Sequence, residues 1–231
     1  MINIIYEDNH LLVVEKPINI PVQEDVSKDL DFLTLLKDFI KKRDNKPGNV
    51  FLGLIHRLDR PVGGIMVFAK TSKCASRLSE QVRNRTLKKT YFAIVEGKVE
   101  EKGTLIDKLL KDTKNNIVRV DKNGKESILD YELVDYKDNL SLVKINLKTG
   151  RSHQIRVQFS SRWHALYGDQ KYNSNAKVGE QIALFANSIT FNHPTTKEEL
   201  TFKLDLPNRK PWSNFNKKIG SLSNSVGGTK N

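Results

Sequence analysis

One cysteine, Cys74, is all that the 231 residues contain. An internal disulfide framework and a cysteine-based structural zinc site are therefore excluded, and a reducing compartment is the expected setting. No window approaches the roughly 20 apolar residues that a membrane span requires. The opening stretch MINIIYEDNHLLVVEKP interrupts its apolar residues with acidic and polar ones too early for a secretory signal, so a cytoplasmic protein with no membrane contact is expected. A Walker-type glycine motif is missing, and so is a G-x-G-x-x-G after a strand, which removes most support for nucleotide hydrolysis and hydride transfer. The five histidines show no H-E-x-x-H or other metal-ligand spacing, and no G-x-S-x-G elbow marks a serine hydrolase.

Acidic residues are the other shortage. Aspartate and glutamate number 27 against 39 lysines and arginines, a formal charge of +12 and a pI near 9.6. Such an excess favours a polyanionic partner, most often a nucleic acid. With 38% hydrophobic and 29% charged residues the chain has the composition of an ordinary globular domain, not of a disordered or fibrous one.

The hydrophobic pattern organises that domain. INIIY and HLLVVEKP flank the turn-forming Glu7-Asp8-Asn9 and read as a hairpin. Within Asp29 to Arg43 the residues Phe32, Leu33, Leu36, Phe39 and Ile40 share one helical face, and Lys46-Pro47-Gly48 ends it. NVFLGLIHRLDRPVGGIMVFAK reads as strand, exposed turn and strand, with Gly63-Gly64 at the bend. Thr71 and Ser72 cap a second helix with Ala75, Leu78 and Val82 on one side. From KTYFAIVEGKV onward the pattern is of strands, continuing through SILDYELVDYK and LSLVKINLKTG. A short helix in GRSHQIRVQFSSR and the strand IALFANSITFNHP follow. The fold class is α/β in the α+β sense: a mixed, largely antiparallel sheet with flanking helices. One domain over 1–219 is expected, with 220–231 as a tail lacking apolar anchors.

Three polar stretches stand out against apolar surroundings. In HRLDR, Asp59 is a carboxylate among cations, a setting that keeps it ionised as a nucleophile or base requires. In KKTYFAIVEGKV, Tyr91 is an aromatic beside basic residues, able to stack on a nucleobase. In LKTGRSHQIRVQF, a helix would put Ser152 and Arg156 on one face and Ile155 and Phe159 on the neighbouring apolar side. Each stretch alone is more readily an ordinary strand end with a salt bridge, a core or sheet-face tyrosine, or a basic surface helix.

Together and in order, HRLDRPVGGIMVFAK, KTYFAIVEG, GRSHQIRV, YGDQKY and NHPTTKEELTFKLDLP resemble the RluA family of pseudouridine synthases. That family's pattern runs H-R-L-D-x-x-T/S-G-L then A-K, K-x-Y-x-A-x-V-x-G, G-R-x-H-Q-I-R, a G-D turn, and a late H-P before a strand. The resemblance covers most of residues 5–207. Two departures are plain: Pro61-Val62-Gly63-Gly64 replaces the hydroxyl-bearing element after the aspartate, and Arg162-Trp163-His164-Ala165-Leu166-Tyr167 stands where the family commonly has glycine, histidine and proline.

The resemblance implies isomerisation of uridine within RNA, with Asp59 as catalytic carboxylate, Arg156 paired with it, and Tyr91 stacked on the uracil. It also assigns Ile155 to packing under the base, and His56, Arg57, Arg60, Lys89, Arg151, His153 and Gln154 to the substrate. Lys16 and Lys88 join Arg57, Arg60, Lys89 and Arg151 as expected phosphate contacts. No metal and no small-molecule cofactor is implied, because the reaction is a net isomerisation. The expected partner is structured ribosomal or transfer RNA, and the expected state a monomer without a separate N-terminal RNA-binding module. Two other classes fit parts of the pattern: an RNA-binding protein that no longer catalyses, and a metal-dependent nuclease using Asp8, Asp59 and Asp169.

Overall fold

The computed structural model describes residues 2–215, so the expected tail at 220–231 lies outside the described residues. The described chain divides into two compact units, one formed by residues 2–89 and 186–204 and the other by 90–185 and 205–215. Strands outnumber the few helices, and the pairing is antiparallel between Asn3–Glu7 and Leu11–Lys16 and between Lys125–Lys137 and Leu140–Leu147, in the mixed, largely antiparallel sense that the sequence pattern implies.

In the first unit, β1 (Asn3–Glu7) and β2 (Leu11–Lys16) form the anticipated hairpin. The Asp8 carboxylate fixes its turn, accepting from the backbone N–H groups of His10 (2.6 Å) and Leu11 (2.7 Å). The same carboxylate takes the Tyr6 hydroxyl and His193 Nε2, each at 2.9 Å, so the late H-P motif is tied to the first turn of the chain. After β2 come α1 (Phe32–Arg43), β3 (Gly53–Leu54), β4 (Gly63–Ala69), α2 (Ser72–Arg83), and, far along the chain, β10 (Leu184–Asn192) and β11 (Glu199–Lys203). Strand order is β1-β2-β4-β10, with β3 on β4 and β11 on β10.

Every residue of β4 is buried, which its two faces explain. Ile65, Val67 and Ala69 pack with Cys74 and Leu78 of α2, together with Leu11, Val13, Ile189 and Phe191. Phe68, on the opposite face, meets Phe32 of α1 edge-on at 6.2 Å. Both helices start where sequence chemistry puts a cap: Asp31 accepts from Thr34 N (3.0 Å) and Thr71 from Cys74 N (3.3 Å).

Gly63-Gly64 is the first difference from expectation. The pair begins β4 and is buried, not exposed at a bend. Gly64 has φ +128°, and a Cβ there would meet the Ala186 carbonyl oxygen at 2.3 Å and its nitrogen at 2.6 Å. The glycine is needed for close backbone approach in a conformation that L side chains avoid.

In the second unit the strand order is β5-β9-β8-β6-β7, where β5 is Lys88–Glu96, β6 Lys102–Asp112, β7 Ile117–Val120, β8 Lys125–Lys137 and β9 Leu140–Leu147. β6 and β7 have no counterpart in the sequence reading: in β6 lysines and aspartates interleave the few apolar residues, and β7 is only four residues long with Val118 alone buried. The imperfect alternation of Leu133 and Val134 in β8 has a cause in the register shift between Leu133 and Asp135. α3 (Gln154–Ser160) is buried from Gln154 through Phe159 rather than lying on the surface, and Ser152 precedes it, so the expected Ser152–Arg156 face does not form.

Gly64→Ala is expected to destabilise the protein by at least about 3 kcal/mol, since backbone strain and overpacking against main chain combine. Urea unfolding of the variant against wild type measures it, and Gly48→Ala, where a Cβ would meet nothing within 4 Å, is the control.

Candidate active site

The loop between β3 and β4 carries His56, Arg57, Asp59 and Arg60, and a buried lysine shapes it. Lys16, the last residue of β2, has no exposed surface. Its Nζ donates to the carbonyls of Pro17 (2.9 Å), Arg60 (3.1 Å) and Val62 (2.8 Å). Three acceptors match the three ammonium hydrogens. The loop closes on itself through Val62 N to Asp59 O at 2.9 Å. Lys16 is therefore not a phosphate contact, as its charge alone suggested: it is buried and its hydrogens are committed to main chain. Burial pulls its pKa from 10.5 down to about 8, with the Asp59 charge opposing and the Arg60 charge reinforcing.

His56 is also buried, and its Nε2 accepts from the Val67 backbone N–H at 3.2 Å. Nδ1 then carries the proton in the neutral ring, and it has no hydrogen-bond partner among the described residues. Burial, helped by the charge of Lys89, pushes His56 down to about 3, so the imidazole is neutral at physiological pH. Lys89 is partly covered, and burial lowers its pKa too. Arg57 and Lys88 are exposed. Arg60 is exposed as well, but its guanidinium bonds Asp29 and the Ser27 hydroxyl.

The second unit holds the other half of the expected residues. Tyr91 in β5 is buried, as is Phe92, so both faces of that strand are covered. The centre of this unit is Arg156 on α3. Its Nε and Nη2 grip Asp169 Oδ2 and Oδ1 at 2.8 and 2.7 Å, and both residues are buried. The guanidinium carbon lies 5.1 Å from the centre of the Tyr172 ring. Fork and stack together fix the plane of the arginine. The Tyr172 hydroxyl accepts from Val118 N (2.9 Å) and lies 2.6 Å from His153 Nδ1. Ile155 is buried beside this group. The Gln154 amide oxygen accepts from Thr149 Oγ1 and Arg151 N, and its nitrogen donates to Ile128 O and Gln158 Oε1. With all four positions used, Gln154 braces α3 against β8. Arg151 is exposed, with Nε on Glu126 O at 3.1 Å.

Tyr172 escaped the sequence reading, and Asp169 entered it only as a candidate metal ligand, although the signal for both was present in GDQKY. The segment leading to them is pinned to β5, where Val95 bridges Leu166 and Tyr167 N donates to Ile94 O. Gly168 turns the chain with φ +68°, where a Cβ would sit 2.5 Å from the Gln181 carbonyl oxygen. In the first unit the structure thus brings Lys16 to the loop of Asp59 and Arg60, with His56 buried at the start of that loop, and in the second it brings Arg156, Asp169, Tyr172 and His153 together. The nuclease alternative weakens, since Asp8 is committed to a turn and His193, and Asp169 to Arg156. Among the described residues no group of three or more histidine, cysteine, aspartate or glutamate side chains is placed to hold a metal ion. No helix there is long and apolar enough to cross a membrane.

The family described as RNA pseudouridylate synthase matches residues 10–161. An RNA pseudouridine synthase of Bacillus subtilis is 34% identical over 215 residues, covering 90% of this chain and 70% of that protein. Ribosomal large subunit pseudouridine synthase C of Vibrio vulnificus is 35% identical over 205 residues, and this chain spans 63% of its length, less than two thirds. Among solved structures, human RNA pseudouridylate synthase domain containing 4 superposes with a TM-score of 0.76 at 22% identity, covering 94% of this chain and 93% of that one. At that identity the likeness establishes the fold alone.

Asp169→Ala should cost about 3–5 kcal/mol of unfolding free energy, because it leaves the Arg156 guanidinium buried without its fork partner. Thermal unfolding monitored by circular dichroism measures the loss. For Lys16 the sign follows from a folded pKa below the unfolded one. Between about pH 8 and 10.5 the unfolded chain binds a proton that the folded chain has released, so this group's contribution favours folding increasingly as pH rises through that window. Lys16→Met removes the effect. The stability of wild type relative to Lys16→Met, from urea titrations at pH 7 and pH 10, is expected to increase with pH.

Proposed function

The chain belongs to the RNA pseudouridylate synthase family, isomerases acting on RNA, and on that premise we propose that it converts specific uridines in ribosomal or transfer RNA to pseudouridine, with Asp59 as the catalytic carboxylate. The bond from ribose C1′ to uracil N1 breaks, a bond from C1′ to C5 forms, the C5 proton leaves and N1 gains one. Nothing is oxidised, reduced or hydrolysed, so the chemistry asks for a well-placed carboxylate and a bound base.

The observation that carries the reading is the Asp59 loop itself. It lies within the matched stretch and bears the family's H-R-L-D motif, and the buried Lys16 ammonium holds the carbonyls of Arg60 and Val62 just after the aspartate. A fixed main chain keeps a reacting side chain within the fraction of an ångström that orientation demands. Tyr91 is proposed to stack on the uracil, Ile155 to pack beneath it, and Arg156 to supply the planar cation of the HQIR motif, all by match to the family pattern. His56, Arg57, Arg60, Lys89, Arg151 and His153 are proposed at the substrate. Because His56 is neutral, it would serve as a hydrogen-bond donor through Nδ1 and not as a cation.

A uridine stacked in RNA cannot offer both edges to a carboxylate, so the target is extruded at a cost of roughly a few kcal/mol, and the net charge of +12 supplies phosphate affinity. Relatives named for the large ribosomal subunit favour ribosomal RNA over transfer RNA. A cytoplasmic setting and a monomeric state belong to the same proposal.

Asp59→Asn is expected to abolish isomerisation, a loss of at least about a thousandfold, with RNA affinity within about threefold of wild type. Tritium release from RNA labelled at uracil C5 reads the reaction and filter binding reads the affinity. Release by the pure variant at near the wild-type rate would refute the role of Asp59.

A further inference from the structure

The three α-helices among the described residues end in one backbone motif, and the third ends in an unexpected residue. At the end of α1, Asn45 N donates to Lys42 O and Lys46 N to Lys41 O; at the end of α2, Arg85 N donates to Val82 O and Thr86 N to Gln81 O. At the end of α3, Trp163 N donates to Ser160 O and His164 N to Phe159 O, both at 3.1 Å. Each is a paired 6→1 and 5→2 closure whose fifth residue is left-handed: Asn45 at φ 48°, Arg85 at φ 59° and Trp163 at φ 65°. Glycine is the favoured residue there and asparagine the usual substitute, while a bulky ring is an outlier.

Burial commonly repays such strain, but Trp163 is 93% exposed. Its neighbours are held fast. Arg162 forks onto Asp107 at 2.9 and 3.1 Å and donates to Gln158 O, while His164 Nδ1 donates to Glu96 O at 2.9 Å and Ala165 O accepts from Glu96 N. The indole therefore stands on a rigid turn with nothing covering it. The RluA pattern commonly has glycine, histidine and proline in the stretch that reads Arg162-Trp163-His164-Ala165-Leu166-Tyr167 here, and the position whose backbone prefers glycine carries the largest side chain. Neither packing nor local conformation gains from that placement, which points outward to a partner.

We propose that Trp163 is a stacking platform for an unpaired nucleobase of the RNA substrate, a base other than the isomerised uridine, and so a specificity-determining residue of this chain. The inference rests on the RNA-modifying function proposed above. Every base offers a π face to an indole, and the basic excess of the chain selects polyanions over apolar partners. A rigid support lowers the ordering cost of the contact.

The test uses the full chain. Trp212, the other tryptophan, is buried with its Nε1 lacking a hydrogen-bond partner, so Trp212→Phe removes a competing fluorophore without stranding a donor. In that background the Trp163 emission is expected to be quenched, and shielded from acrylamide, by single-stranded uridine-containing RNA and much less by the same sequence as a duplex. In the wild-type background, Trp163→Gly should raise the melting temperature by a few degrees. It should also raise KM for RNA about tenfold, with kcat within about twofold, and Trp163→Phe should restore most of the affinity. A KM within about twofold of wild type in Trp163→Gly, unchanged emission while filter binding shows the RNA bound, or a lower melting temperature would each overturn the proposal. If the wild type is quenched by RNA but releases no tritium, the isomerase reading fails and the stacking site stands.

Discussion

A guanidinium taken out of water needs its charge answered and its donors matched in one plane, and a single short segment gives Arg156 both a carboxylate for its fork and a ring for its face. Asp169 and Tyr172 are three residues apart in one turn, the first supplying the fork and the second the stacking face. That interaction permits α3 to be buried along nearly its whole length while carrying a charged residue. It also sets requirements upstream, since the turn reaches Arg156 only because Leu166 and Tyr167 run along β5 and because Gly168 can adopt its left-handed bend. A lysine could not satisfy the same partners, because an ammonium is a point charge with no plane to stack or fork.

In the first unit a buried cation has the opposite relation to its partners. Lys16 meets no carboxylate in direct hydrogen bonding; its three donors go to main-chain carbonyls, two of them just beyond Asp59. A compact ammonium suits converging carbonyls as a planar guanidinium suits a carboxylate. The charge of Asp59 then helps keep the lysine protonated, so the loop and its brace support one another.

Much of the architecture was legible in the chain because local signals agreed. Asp31 and Thr71 cap helices whose apolar faces recur at helical spacing, and Glu7-Asp8-Asn9 turns the first hairpin. What escaped has a physical reason in each case. β6 hides its period behind charged residues, since a strand covered on one face needs few apolar residues, and β7 is too short to show a period. Lys16 counted toward the basic surface because formal charge carries no information about burial. Gly63-Gly64 looked like a bend because glycine permits one, yet what it permits here is the close passage of the Ala186 backbone. For the site, the H-R-L-D and H-Q-I-R motifs marked Asp59 and Arg156, whereas GDQKY offered a turn and, in Asp169, a candidate metal ligand; that its aspartate and tyrosine clasp Arg156 is a three-dimensional fact.

The discontinuity of the first unit bears on how the protein is made. β4 leaves the ribosome early, but β10, which lies beside it, follows only after the stretch from Lys70 to Phe185 has been synthesised, and His193 reaches Asp8 later still. At roughly 5–20 residues per second, the β4 edge waits on the order of ten seconds for its partner. Throughout that interval the part of this all-apolar strand that β3 and the His56 ring leave uncovered has open backbone donors and acceptors, the kind of edge that invites pairing with another chain. Gly64 meets its crowded environment only when β10 docks, so its constraint belongs to the last stage of assembly and leaves the nascent hairpin untouched.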